Sequence, residues 1–117
     1  MSGKLCAYFP VYDDVDALRF SIKKTKEYGI TTIITADGPF HGFEHKSVKS
    51  TDGTIDFLKK EGCIVLQSGL CYEQDKLNMA FHEAARLGFD YVLLLGADEW
   101  PEGDIQEFIS RLDNLHK

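Results

Sequence analysis

Three times in this 117-residue chain a helical apolar pattern ends in glycine and an apolar run follows it, at Gly29, Gly62 and Gly88. Glycine adopts the left-handed conformation that closes a helix without a steric penalty. Repeating that unit leaves little freedom of topology. Parallel neighbours need crossover helices between them, so this alternation implies an α/β fold, a three-layer α/β/α arrangement around a mostly parallel sheet. Strands are expected at residues 4–9 (closed by Pro10), 30–35, 63–66 and 91–95. Helices are expected over 14–28, where Val15, Leu18 and Ile22 recur at helical spacing, over 52–61, and along the stripe Leu77, Ala80, Phe81, Ala84 and Leu87. A last helix opens at Asp104, with Glu107 three places on as a capping signal, and runs to about 115.

Length makes residues 1–117 one domain with room for its own core. The net charge of −6 argues against non-specific nucleic-acid binding, which relies on basic patches. No apolar run approaches the roughly 18 residues of a membrane span, and residues 1–4 lead into only a short apolar segment, unlike a signal peptide. Cys6, Cys63 and Cys71 are odd in number and lack metal-type spacing, which points to reduced thiols in a cytoplasmic setting.

In folds of this class ligands bind at the carboxyl ends of the strands. Strand one ends in Pro10, Val11, Tyr12, Asp13 and Asp14; strand two in Asp37 and Gly38; strand three in Gln67 and Ser68; strand four in Gly96, Ala97, Asp98 and Glu99. Carboxylates stand at three of these four ends. Each has two readings. Asp98 and Glu99 serve either as a turn and helix entry before Pro101 or as a hard-cation site, since carboxylate oxygens suit Mg²⁺ or Mn²⁺. Asp37-Gly38 is either a turn or an acceptor for a nucleobase donor. Tyr12 either caps the core or packs against a base. Asp13 and Asp14 are by default helix N-cap and first-turn residues, and otherwise ligand contacts. Lys76, beside Asn78, either lies on a solvated helix face or reaches an anion near the helix N-terminus. His41 and His45, with Gly42 between them and no HExxH pattern, do not make a zinc pair. No Walker loop, GxGxxG fingerprint or nucleophile elbow is present.

The order strand–Pro-Val-Tyr-Asp, strand–Ala-Asp-Gly, Ser-Thr-Asp-Gly-Thr (50–54) opening a helix, Lys-Leu-Asn in an amphipathic helix, and Asp-Tyr-Val-Leu-Leu-Leu-Gly-Ala-Asp-Glu resembles the nucleotide-sugar-binding half of GT-A glycosyltransferases, close to the family 2 group. The resemblance spans residues 5–100. It implies that Pro10, Val11, Tyr12 and Asp13 form a nucleotide-contacting turn and that Asp37 pairs with the base. It further implies that Asp98, with Glu99 as neighbour, binds the metal, and that Lys76 and Asn78 lie in the segment that carries a basic residue followed by Asn. Three departures are visible. Gly96 stands where the first Asp of the metal motif is usual, and Leu77 where Arg is common. The segment that would form the acceptor site and supply the catalytic base does not follow within 117 residues, so the chain reads as truncated and no general base is assigned.

The expected sheet order is 3-2-1-4, which sets the ends of strands one and four side by side and brings Asp13 near Asp98. The expected function is glycosyl transfer from a nucleotide-diphosphate sugar, UDP-sugar foremost, to a glycan or other hydroxyl acceptor, with Mn²⁺ or Mg²⁺. The alternative is a catalytically inactive nucleotide-binding or protein-interaction module of the same fold, one that can form homo-oligomers. A phospho-receiver domain is set aside because strand three ends in Gln67-Ser68 and no fifth strand ends in lysine.

Overall fold

The computed structural model describes residues 3–45 and 47–115; Met1 and Ser2 of the polar lead, Lys46 of the long loop, and residues 116 and 117 lie outside the described residues. The elements run β1 (Leu5–Val11), α1 (Val15–Tyr28), β2 (Ile33–Asp37), α2 (Thr54–Lys60), β3 (Ile64–Gln67), α3 (Glu73–Arg86), β4 (Tyr91–Leu94) and α4 (Ile105–Leu115). The four strands form an all-parallel sheet in the order β3-β2-β1-β4. The α/β architecture expected from strand–helix alternation and the expected strand order 3-2-1-4 are both present.

The three glycines close their helices identically. The amide of the residue after each glycine reaches back to a carbonyl five residues earlier: Ile30 to Thr25 (3.3 Å), Cys63 to Leu58 (2.9 Å) and Phe89 to Ala84 (3.0 Å). The glycine amide bonds three residues back in each case, to Lys26, Lys59 and Ala85, and each glycine has a positive φ. This is the Schellman arrangement. The reversal consumes residues, so β2 starts at Ile33 rather than at Ile30, which is buried below the turn.

Side chains alternate along β1. Ala7, Phe9 and Val11 join Leu18, Ile22, Ile33 and Leu58 on the face covered by α1 and α2, where Leu93, Leu95 and Ile105 also pack. Cys6 and Tyr8 join Ile34, Ala36, Ala80 and Ala84 on the face covered by α3. Pro10 does not end β1 as expected. Tyr8 accepts from Leu95 and so faces β4, and Pro10, two residues on, turns its missing N–H to the same side, where β4 has already ended opposite Tyr8. The strand therefore runs on to Val11, paired with Asp37.

The apolar stripe of α3 is borne out only in part, at Leu77, Ala80 and Ala84. Phe81 and Leu87 are exposed, and the buried line is Lys76, Ala80 and Ala84. Small residues let the helix approach the sheet closely, and hydropathy alone does not register that demand. Among the described residues no helix is long and apolar enough to cross a membrane.

Candidate functional site at the carboxyl edge of the sheet

Hydrogen bonds tie the loops at the carboxyl edge into one unit. Asp37 is fully buried, and its carboxylate accepts from the Ser50 amide (3.0 Å) and the Ser50 hydroxyl (2.5 Å). That hydroxyl oxygen also accepts from the Asp13 amide (2.8 Å), and the Thr51 amide donates to Asp13 Oδ1 (2.7 Å). The described residues 39–45 and 47–49 therefore leave and return to one point, an Ω-loop pinned at its base. Asp13 pays for its place with a left-handed φ of 49°, a conformation short polar residues tolerate better than most.

Asp14 stands at the N-cap position of α1, but its side chain makes no cap bond; Oδ2 accepts from the Tyr12 amide (2.9 Å) instead. The cap comes from across the fold. Asp52 Oδ2 accepts from the Val15 amide (3.1 Å), while Oδ1 accepts from the amide (3.0 Å) and hydroxyl (2.5 Å) of Thr54. One carboxylate thus serves the first turns of α1 and α2. Burial pulls the Asp52 carboxyl upward, yet the bonds from Thr54 and Val15 outweigh it and hold it below its ordinary 3.8. Burial pushes Asp14 the other way, with Asp52 and Asp13 adding to the rise against the Tyr12 amide and Lys76.

Lys76 lies on no solvated face. It has no exposed surface, its Nζ donates to the Val11 carbonyl (3.1 Å), and it sits 4.3 Å from the centre of the Phe40 ring. Burial lowers its pKa, opposed by Cys71, Asp37 and Asp14. The ammonium thus joins the end of β1, the Ω-loop and α3. Pro10, Val11, Tyr12, Asp13, Asp37 and Lys76 accordingly gather at one edge. Asn78 does not: it is exposed on the outer side of α3 and accepts from Gln74 (3.0 Å).

After β4 the chain turns tightly. The Glu99 amide donates to the Gly96 carbonyl (3.0 Å) and Glu99 Oε1 accepts from the Gly96 amide (2.5 Å). A Cβ at Gly96 would stand 2.9 Å from Glu99 Oε1 and 3.5 Å from Asp98 Oδ1. Glycine is thereby explained: the Glu99 carboxylate fills the space a side chain at 96 would need, and two acidic oxygens converge over it. Among the described residues no group of three His, Cys, Asp or Glu could hold a metal ion. Asp98 and Glu99 are exposed, and their carboxylate oxygens are the donor type that magnesium-type ions take, with Glu99 Oε1 already accepting from the Gly96 amide.

Two open clefts flank β1. One, of about 270 Å³, is lined by Tyr8, Pro10, Glu73, Leu77, Leu94, Leu95, Gly96 and Glu99. The other, of about 720 Å³, is lined by Tyr12, Asp13, Phe43, Glu44, His45 and Thr51. Pro10 therefore shares its cleft with Glu99, whereas Asp13 faces the Ω-loop; strand ends one and four are neighbours, but the contacts of Asp13 are with Ser50 and Thr51. Comparison with family models, curated proteins and solved structures yields no match.

Ser50, Asp52 and Thr54 belong to this edge although their individual roles were not legible in the chain. Their signal was the Ser-Thr-Asp-Gly-Thr run, dense in the residue types that cap helices and close loops. Phe43 carried no signal at all.

Proposed function

We propose that this domain binds a nucleotide-diphosphate sugar together with Mn²⁺ or Mg²⁺ and serves glycosyl transfer to a hydroxyl acceptor, as the resemblance to GT-A glycosyltransferases implies. The observation that carries this reading is the convergence of Asp98 and Glu99 over Gly96 at the end of β4, beside the Pro10 turn of β1. Asp13, Asp52, Asp98 and Glu99 are all exposed, while Lys76 is buried. Such an edge repels a bare diphosphate and attracts a divalent cation first, so donor binding should be metal-dependent.

The nucleotide lies along Pro10 to Asp13, and the sugar end reaches the cleft of Glu73, Leu77, Leu94 and Glu99. A cation held by Asp98 would neutralise charge on the departing diphosphate. Glu99 holds the β4 turn closed through the Gly96 amide, and Asp98 is the carboxylate left open toward the ion. Lys76 keeps the end of β1 in place through the Val11 carbonyl. Acceptor activation is assigned to no residue.

Calorimetry of the chain with UDP-sugars is the test. Micromolar to millimolar affinity should appear with Mn²⁺ and vanish with chelator, and Asp98→Ala should weaken it at least tenfold. Asp98 is exposed, so the same substitution should move stability by no more than about 0.5 kcal/mol. Absence of affinity for any nucleotide sugar with either ion would overturn the proposal.

A second reading, an interaction module without catalysis, is favoured by one observation. A single helix, α3, packs on its face of the four-stranded sheet, and Phe81 (42%) and Leu94 (49%) stay exposed beside it. On that reading the chain self-associates through this face. Sedimentation should then show a dimer that Leu94→Glu dissociates, with no response to nucleotide.

A further inference from the structure

Serine is not favoured in a helix interior, yet Ser21 stands in the middle of α1 with no exposed surface. Its hydroxyl has two acceptors in reach. The carbonyl of Ala17, one turn back, is 3.3 Å away, whereas the carbonyl of Ala97 is 2.7 Å away across 76 positions of the chain. The shorter bond therefore leaves the helix and holds the residue just before Asp98. Phe20, the neighbour of Ser21, makes the matching contact beyond the acidic pair. Its ring meets Trp100 edge-on, with centroids 4.7 Å apart and planes at 81°. Two consecutive residues of α1 thus hold the chain on both sides of Asp98 and Glu99. Inside the turn Glu99 closes on Gly96 through two bonds, and the Leu95 amide ties its start to the Tyr8 carbonyl (2.9 Å).

We infer that Ser21 is the positioning residue of the acidic turn: its bond to the Ala97 carbonyl presets where Asp98 and Glu99 meet a divalent cation, and Phe20 secures the far side through Trp100. This role rests on the metal reading of the same turn. Exposed carboxylates on a loose loop must be ordered as the ion binds, which weakens binding; a backbone already fixed by a buried hydroxyl is spared that loss. Trp100 is the single tryptophan of the chain and touches α1 one residue past Glu99, so its emission follows the state of the turn.

The experiment titrates the intact chain with Mn²⁺, alone and with UDP, reading free Mn²⁺ by electron paramagnetic resonance and the turn by Trp100 emission. Wild type should bind Mn²⁺, and the emission should be quenched in step with binding. Ser21→Ala should weaken Mn²⁺ about tenfold, the usual loss when a group behind a metal ligand is removed, and Ser21→Thr, which keeps the hydroxyl, should restore binding. Thr25→Val is the control. Thr25 is equally buried on α1, but its hydroxyl donates within the helix, to the Ser21 carbonyl (2.7 Å). Its loss should lower the urea midpoint and leave Mn²⁺ affinity unchanged. Phe20 is half exposed, so Phe20→Leu spares the core; without the ring pair Mn²⁺ should weaken about two- to tenfold. Unchanged Mn²⁺ affinity in Ser21→Ala, or in Phe20→Leu where Ser21→Ala does not fold, overturns the positioning role while the metal reading stands. An equal loss in Thr25→Val overturns it as well. Wild type that holds no Mn²⁺ with or without UDP overturns the metal reading itself.

Discussion

Gly38 shows how tightly single residues are held at the carboxyl edge. It follows Asp37 directly, its amide donates to the Val11 carbonyl (3.2 Å), and a Cβ there would press on the Gly69 carbonyl oxygen and the Ser68 hydroxyl. That neighbouring backbone cannot retreat freely, because the Ser68 amide donates to the Asp37 carbonyl (2.9 Å). Gly38→Ala should therefore cost about 1–3 kcal/mol in urea denaturation, the range of an overpacked interior. At Gly62 a Cβ would meet nothing within 4 Å, so the only cost of alanine there is the positive φ of 79°. Lys76 illustrates the opposite kind of fit. Its long stem crosses the apolar interior to deliver one ammonium to the Val11 carbonyl and the Phe40 ring, so a residue that reads as surface becomes a joint between three segments.

At the scale of elements, the link between α1 and α2 is Asp52. Helix first turns carry amides without partners, and a single carboxylate supplies both here. Asp52→Ala should lower stability at pH 7 by about 2 kcal/mol, more than the roughly 1 kcal/mol expected for Asp104→Ala, whose carboxylate caps only α4 through Gln106 (2.8 Å) and Glu107 (3.3 Å). The pH dependence has a definite sign. The folded-state pKa of Asp52 is lowered, so its stabilisation is present above its ordinary 3.8 and is lost as pH falls through the lowered value. Wild type and Asp52→Ala should converge in denaturation midpoint on acidification below that value; a constant gap would show that the carboxylate charge is not involved. How much of the elements was legible follows the same logic. Glycine stops, short apolar runs and helical spacing are local, and they located the four strands and four helices. In α3 the expected Ala80 and Ala84 are buried and Leu77 packs beside them, but Lys76 takes a buried place and Phe81 is exposed, because the inner line answers to the sheet beneath it.

At the scale of the whole molecule, the buried titratable groups set the alkaline limit. Burial raises Cys6 and Cys63 from 9.0 to about 11 and pushes Tyr8 up as well. The folded state retains protons that the unfolded chain releases, so stability falls as pH rises from about 9 toward 11. Lys76 acts in the opposite sense, its lowered pKa making stability rise with pH up to 10.5. Two thiols and a phenol outnumber one ammonium, and the urea midpoint should drop between pH 8 and 10.5. All three cysteines are buried and free, so a thiol reagent at pH 8 should label them only as fast as the protein opens. Rapid labelling of the native chain would contradict this packing.

The alternation of short apolar runs, amphipathic stretches and glycine stops was enough for a mostly parallel α/β sheet, because parallel neighbours need crossover helices, whereas the order 3-2-1-4 came with the GT-A resemblance and is the order found. It also showed that polar chemistry collects at the strand ends. It did not show which groups there are already spoken for. Asp13, Asp37 and Ser50 are separated by up to 37 positions in the chain, yet form one hydrogen-bonded knot. Asp98 and Glu99, in contrast, were adjacent from the start, and their place over Gly96 needed only a local turn. Contacts within a few residues follow from backbone geometry and can be read from spacing. Contacts across the sheet edge exist only once the strands are paired, which is why the closed acceptor at Asp37 and the open ring of Phe43 became visible only in the folded molecule.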